Sequence, residues 1–123
     1  MLPIAIYHEH PDWFRPLFAE LDRRGVTYVR LDAASHHYDP SIDAAPYSLV
    51  FNRASPSAYL RGHRQSTFYT LQWLRYLERI GVEVVNGASA YAMDTSKALQ
   101  VEAFEALGLP YPVTRIANSQ TFS

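Results

Sequence analysis

The 123-residue chain contains no cysteine, so disulfides and thiolate metal sites are excluded, in keeping with a reducing, cytoplasmic setting. It carries no excess of one charge: 11 Lys and Arg stand against 12 Asp and Glu, a formal net charge of −1. The cations are scattered and form no stripe, so the electrostatic footprint of a nucleic-acid binder is missing and no nucleic-acid partner is expected. No apolar run approaches the ~20 residues of a membrane span. The opening stretch MLPIAIYHEHPDW has too short an apolar run for a signal peptide and lacks its basic flank. A soluble, intracellular protein with no membrane attachment is therefore expected. Two catalytic signatures are missing as well. Where a dinucleotide fold would place G-x-G-x-x-G after its first strand, this chain has HEHPDW, which disfavours a Rossmann oxidoreductase. No G-x-S-x-G elbow supports a nucleophilic triad.

What the chain has in quantity is aromatic surface, with nine Tyr, six Phe and two Trp. Such side chains supply apolar area for a core and for an interface. The length fits one domain able to bury about two-thirds of its unfolded surface.

Apolar spacing divides the chain into alternating elements. Residues 2–7, LPIAIY, read as a strand buried on both faces of a parallel sheet. Over residues 12–24 Trp13, Phe14, Leu17, Phe18 and Leu21 recur at helical spacing, and Gly25 stops the helix. Pro16 places its true first turn near Arg15. VTYVRL (26–31) is a second strand, followed by the long polar segment DAASHHYDPSIDAAP and a third strand, YSLVFN. RASPSAYLRGHRQS (53–66) reads as an irregular loop, long enough to suggest function. The helix at 67–80 is apolar nearly all round, which predicts cover on more than one side, by the domain itself, a partner domain or a second copy. VEVV (82–85) is a fourth strand, a helix from Asp94 to Leu107 carries Leu99, Ala103 and Leu107 on one face, and VTRI (113–116) is a fifth strand. The pattern predicts an α/β domain with a mainly parallel open sheet of about five strands and helices on both faces.

Ligands of such sheets bind at the carboxyl ends of the strands. The residues there are His8, Glu9 and His10 after the first strand, Asn52, Arg53 and Ser55 after the third, and Asn86 and Gly87 after the fourth. His8, Glu9 and His10 in a turn specify no third ligand, so a polar turn is expected and no metal. The pair His36 and His37 has no partner spacing either. Arg53 carries a guanidinium able to clamp a carboxylate or phosphate bidentately, against the plainer reading of a surface arginine paired with an acid. Lys97 sits in the first turn of its helix, where backbone N–H groups favour anions. Either it is a solvated lysine offset by Asp94, or it faces a bound anion together with the helix end.

In order and spacing, SLVFNRASPS, the long helix, GVEVVNGASAYAMD and SKALQVEAFEALGLPYPVT resemble the N-terminal, pre-ATP-grasp domain of ATP-grasp ligases. The likeness is closest to the branch of ribosomal-protein glutamate ligases and bacterial glutathione synthetases. Its specific part covers residues 48–114. The resemblance implies a parent enzyme that uses ATP and Mg²⁺ to convert a carboxylate to an acyl phosphate, which an amine attacks to form an amide. It places Arg53, with Ser55 beside it, near the substrate carboxylate, and Lys97 at the nucleotide phosphates. It aligns Asn86 with the Asn that closes the fourth strand, a position structural first. The family's acidic residue before the lysine is Ser96 here, with Asp94 further back. On this reading residues 1–116 are the pre-ATP-grasp domain and 117–123 begin a linker to a C-terminal ATP-grasp domain. The fragment alone carries no catalytic residue, binds no cofactor and is inactive. Its partners are that domain, small-molecule or peptide carboxylates and amines, and a second copy of itself. A receiver-like regulatory module is the alternative, and it requires an Asp where Asn52 stands and a Lys after the fifth strand.

Overall fold

The four strands expected from the first half and middle of the chain pair in parallel. In the computed structural model, which describes residues 1–55 and 65–117, β1 (Ile4–His8), β2 (Tyr28–Asp32), β3 (Leu49–Asn52) and β4 (Glu83–Val85) form one sheet in the order β2-β1-β3-β4. Most of the loop expected over residues 53–66 lies outside the described residues. Ile4 sets the register, opposite Tyr28 on one side and Leu49 on the other, and Leu49 faces Glu83. The sheet is crossed by helices in the α/β, Rossmann-like manner that the alternation of patterns predicts. Central β1 is buried on both faces, with Ala5 and Tyr7 on one and Ile6 and His8 on the other, as the pleat requires.

After β1 comes a 3-10 turn (Pro11–Phe14) and then α1 (Arg15–Arg23). Pro16 sits in the first turn of α1, where its missing N–H leaves no bond unmade. The chain leaves the helix through Gly25, whose φ of +67° a side chain would resist. Of α1 only Phe18 is fully buried. Its ring stacks on Tyr28 with centroids 5.8 Å apart, and the Arg30 guanidinium lies 3.9 Å from its centre.

The main core lies against α2 (Ser66–Arg79), which buries Thr70, Trp73, Leu74, Tyr76 and Leu77 beside Ala5, Tyr7 and Val50. Tyr7 packs on Trp73 with centroids 4.5 Å apart, and its hydroxyl shares a 2.8 Å hydrogen bond with Thr70 Oγ1. The polar segment 33–47 packs against the same helix. The Tyr76 hydroxyl donates to the Ile42 carbonyl at 2.7 Å, Arg79 to the Pro40 carbonyl at 3.2 Å, and His36 Nδ1 meets the Tyr69 hydroxyl at 2.6 Å. Cover on more than one side, as its sequence predicts, thus comes from within the chain, although Phe68 stays exposed.

Two features differ from the sequence expectation. The helix expected from Asp94 to Leu107 begins only at Lys97 (α4, Lys97–Leu107), and a separate helix that the sequence reading did not foresee, α3 (Ala88–Thr95), precedes it, the two parted at Ser96. Ser96 is extended (φ −131°, ψ 111°), and its hydroxyl accepts the Leu99 N–H at 3.1 Å, an N-cap that starts a new helix instead of prolonging the old one. The fifth strand expected at residues 113–116 pairs with none of the described strands. Val113 is fully exposed and Ile116 is exposed. Strand propensity in so short a run does not hold without a neighbouring ladder and a buried face. Nor does α4 bury any residue fully, and Leu99, Phe104 and Leu107 are exposed on it. Among the described residues no helix is long and apolar enough to cross a membrane.

The start of α3 is held by a carboxylate from α2, since Glu78 Oε1 accepts the Ala88 N–H at 2.6 Å. A Cβ at Gly87 would lie 2.5 Å from that same oxygen. Gly87→Ala is therefore expected to push the carboxylate off the helix end and to cost about 1 kcal/mol, the usual worth of a cap. Urea denaturation checks this, and adding Gly87→Ala to Glu78→Ala should cost much less than adding it to the native chain.

Candidate functional site

The chain leaves β1 towards β2 on one side and places β3 on the other, so the topological switch point falls between β1 and β3. A cleft of about 760 Å³ opens on this carboxyl edge, and Asn52, Arg53, Ser55, Asn86 and Lys97 line it, whereas His8, Glu9, His10 and Gly87, also candidates from the strand ends, are not in its lining. Its size is that of a ligand pocket, usually about 300–1,000 Å³.

Arg53 is held by what surrounds it. Its backbone N–H donates to the Tyr7 carbonyl at 2.8 Å, carrying the β1–β3 ladder one residue past the strand end. Its guanidinium carbon lies 5.5 Å from the ring centres of both Phe14 and Phe51. Neighbouring Asn52 is only 3% exposed, and both ends of its amide are engaged. Nδ2 donates to the Asn86 carbonyl and Oδ1 accepts the Ala54 N–H, both at 3.1 Å. One side chain thereby ties the end of β4 to the loop that carries Arg53 and Ser55. Asn86 has φ +37°, a left-handed conformation that Asn tolerates better than most residues.

Lys97 is the first residue of α4 and is exposed, with Nζ 3.4 Å from Gln100 Oε1. Neither it nor Arg53 forms an ion pair among the described residues, whose ion pairs are Arg15 with Asp12 and Arg23 and Arg24 with Glu20. Asp94 lines the cleft as well, on α3. Sequence reasoning missed the apolar part of the lining, Trp13, Phe14, Met93 and Phe104. Trp13 and Phe14 fit the stripe of the first helix, but the 3-10 turn ahead of α1 re-aims them to the cleft. There the Trp13 ring stacks on His10, with centroids 4.3 Å and planes 8° apart.

The histidines do not gather. His8 is buried between Phe14 and Phe18, and burial pushes its pKa below the usual value against the pull of Asp32. Among the described residues no group of three or more His, Asp or Glu is arranged to hold a metal ion. His36 lies in the aromatic cluster on α2, its ring 4.4 Å from that of Trp73, and burial, helped by the charge of His37, lowers its pKa to about 4. His36 therefore stays neutral in the fold where the unfolded chain protonates. The stability this confers is complete above pH 6.5, its ordinary value, and is lost as the pH falls towards 4. The thermal midpoint is expected to drop over that window. In His36→Gln, which keeps a group able to reach Tyr69 but does not titrate, the drop should be smaller.

No family model matches the chain, and no curated protein matches it either.

Proposed function

We propose that this chain is the substrate-side domain of an ATP-dependent carboxylate–amine ligase of the ATP-grasp type. The observation that carries the reading is the convergence of Arg53, Ser55, Asn86 and Lys97 on one cleft, with both cations outside any ion pair among the described residues. A guanidinium flanked by two aromatic rings and anchored through its backbone suits bidentate capture of a carboxylate. Ser55 and Asn86 stand beside it, and Lys97 supplies a point charge where a nucleotide phosphate would approach. ATP would supply the phosphoryl group that activates the carboxylate for attack by a small-molecule or peptide amine. Cationic groups stabilise the charge that gathers on transferred phosphoryl oxygens.

The described residues do not fit magnesium, since no cluster of acids is arranged to hold it. On this proposal the metal and most of the nucleotide contacts belong to a C-terminal ATP-grasp domain that follows a linker starting near residue 117, and the enzyme works in the cytoplasm. A receiver-like module gains no support from the geometry, because Asn52 occupies the position of its ionised acid and spends its amide on Asn86 and Ala54. Calorimetry tests the assignment. Residues 1–123 are expected to bind ATP only weakly, with millimolar affinity at best. Micromolar or tighter ATP binding by this chain alone would contradict it.

A further inference from the structure

The cleft has an acid-binding end and an apolar wall, and the wall carries information that the charges do not. Trp13, Met93 and Phe104 line it while remaining 56%, 37% and 39% exposed. Large apolar side chains left wet in a concave site gain free energy when a ligand of matching character displaces that water. The charges set a second limit. On the described lining stand two cations, Arg53 and Lys97, and one carboxylate, Asp94. With Lys97 assigned to the nucleotide side, Arg53 is the cation of the described lining left for the substrate, and a second acidic group lying against that lining would meet Asp94.

We infer that the acid held by Arg53 has as its body an aromatic or similarly bulky apolar group, lying against Trp13, Phe14, Met93 and Phe104. This rests on the assignment of Arg53 and Lys97 given under the proposed function. It narrows that assignment away from the dicarboxylic substrate that a likeness to glutamate ligases would suggest. A cleft of about 760 Å³ has room for such a body as well as the carboxylate.

Three probes of similar length separate the contributions: 3-phenylpropionate, glutarate and 3-phenylpropionamide, each titrated into residues 1–123 and followed by NMR shifts of the Trp13 indole. Trp73, 1% exposed in the core, serves as the internal control. The phenyl acid is expected to bind about tenfold tighter than glutarate, as burial of one ring warrants. Phe104→Ser, a change at an exposed position, should remove most of that advantage. If glutarate binds as tightly or tighter, and Arg53→Met abolishes its binding, the apolar-substrate inference is overturned while the carboxylate role of Arg53 stands. If the neutral amide binds as tightly as the acid, the inference is overturned at its charged end, and with it the role given to Arg53. Failure of all three probes at millimolar concentration overturns both.

Discussion

Replacing Arg53 with methionine is expected to weaken carboxylate binding roughly 10- to 100-fold while leaving the thermal midpoint nearly unchanged. A hydrogen bond to a charged group contributes about 1.5–3 kcal/mol, and 1.4 kcal/mol is a factor of ten in affinity. The fold should not notice the change. The backbone bond from Arg53 to the Tyr7 carbonyl survives the substitution, and the exposed contacts of the guanidinium with Phe14 and Phe51, each at 5.5 Å, contribute only about 0.5–1 kcal/mol. Arg53→Lys should recover only part of the affinity, because an ammonium lacks the planar fork that engages both oxygens. Titrating the variants with one carboxylate probe at constant ionic strength measures the effect. Equal affinity in the methionine variant would remove Arg53 from the site.

The largest loss of stability is expected for Trp73→Ala, at about 3–5 kcal/mol. That is a third or more of what many domains of this size possess, given totals of about 5–15 kcal/mol. Trp73 is 1% exposed, and its ring lies between Tyr7 and His36, with centroids 4.5 and 4.4 Å away. Removing it opens a cavity under the sheet and frees the segment 33–47 that His36 anchors. Among the described residues the opposite face of the sheet offers little reserve, burying chiefly Ile6, His8 and Phe18. Phe68→Ala, on the same helix but at a side chain 68% exposed, should stay within about 0.5 kcal/mol and serves as the control. Urea unfolding monitored by circular dichroism, with unchanged slope, distinguishes lost stability from a changed denatured state.

The strands were readable because each carries a local signal: LPIAIY is a nearly continuous apolar run, YSLVFN has an apolar centre, and VTYVRL and VEVV are rich in β-branched residues. The helix α3 was not, because in ASAYAMDT only Ala88 and Tyr91 are buried, and two residues make no stripe. The break at Ser96 is a contest between propagating a helix and capping a new one. A serine three residues before Leu99 signals such a cap, but Asp94 offers a competing start two residues earlier. At the site, Arg53, Ser55, Asn86 and Lys97 follow from the rule that function sits at strand ends and helix starts. The aromatic wall does not follow from it. Trp13 and Phe14 match helix periodicity, and only the tighter 3-10 winding of Pro11–Phe14 carries them to the mouth of the cleft. Periodicity identifies apolar faces; it does not say whether core or ligand will cover them.

Because among the described residues β4 ends the sheet with only β3 beside it, its outer row of peptide groups is open there to any extended segment that comes near. Such a margin invites chains to stack edge to edge into insoluble fibres. Two properties guard this one: it is three residues long, and it opens with the exposed carboxylate of Glu83. Glu83→Val would remove the charge and make EVV into VVV beside Val82, leaving a four-valine ribbon on an open margin. The first sign of that change would be falling recovery during concentration, before any loss of folded structure in the dilute protein.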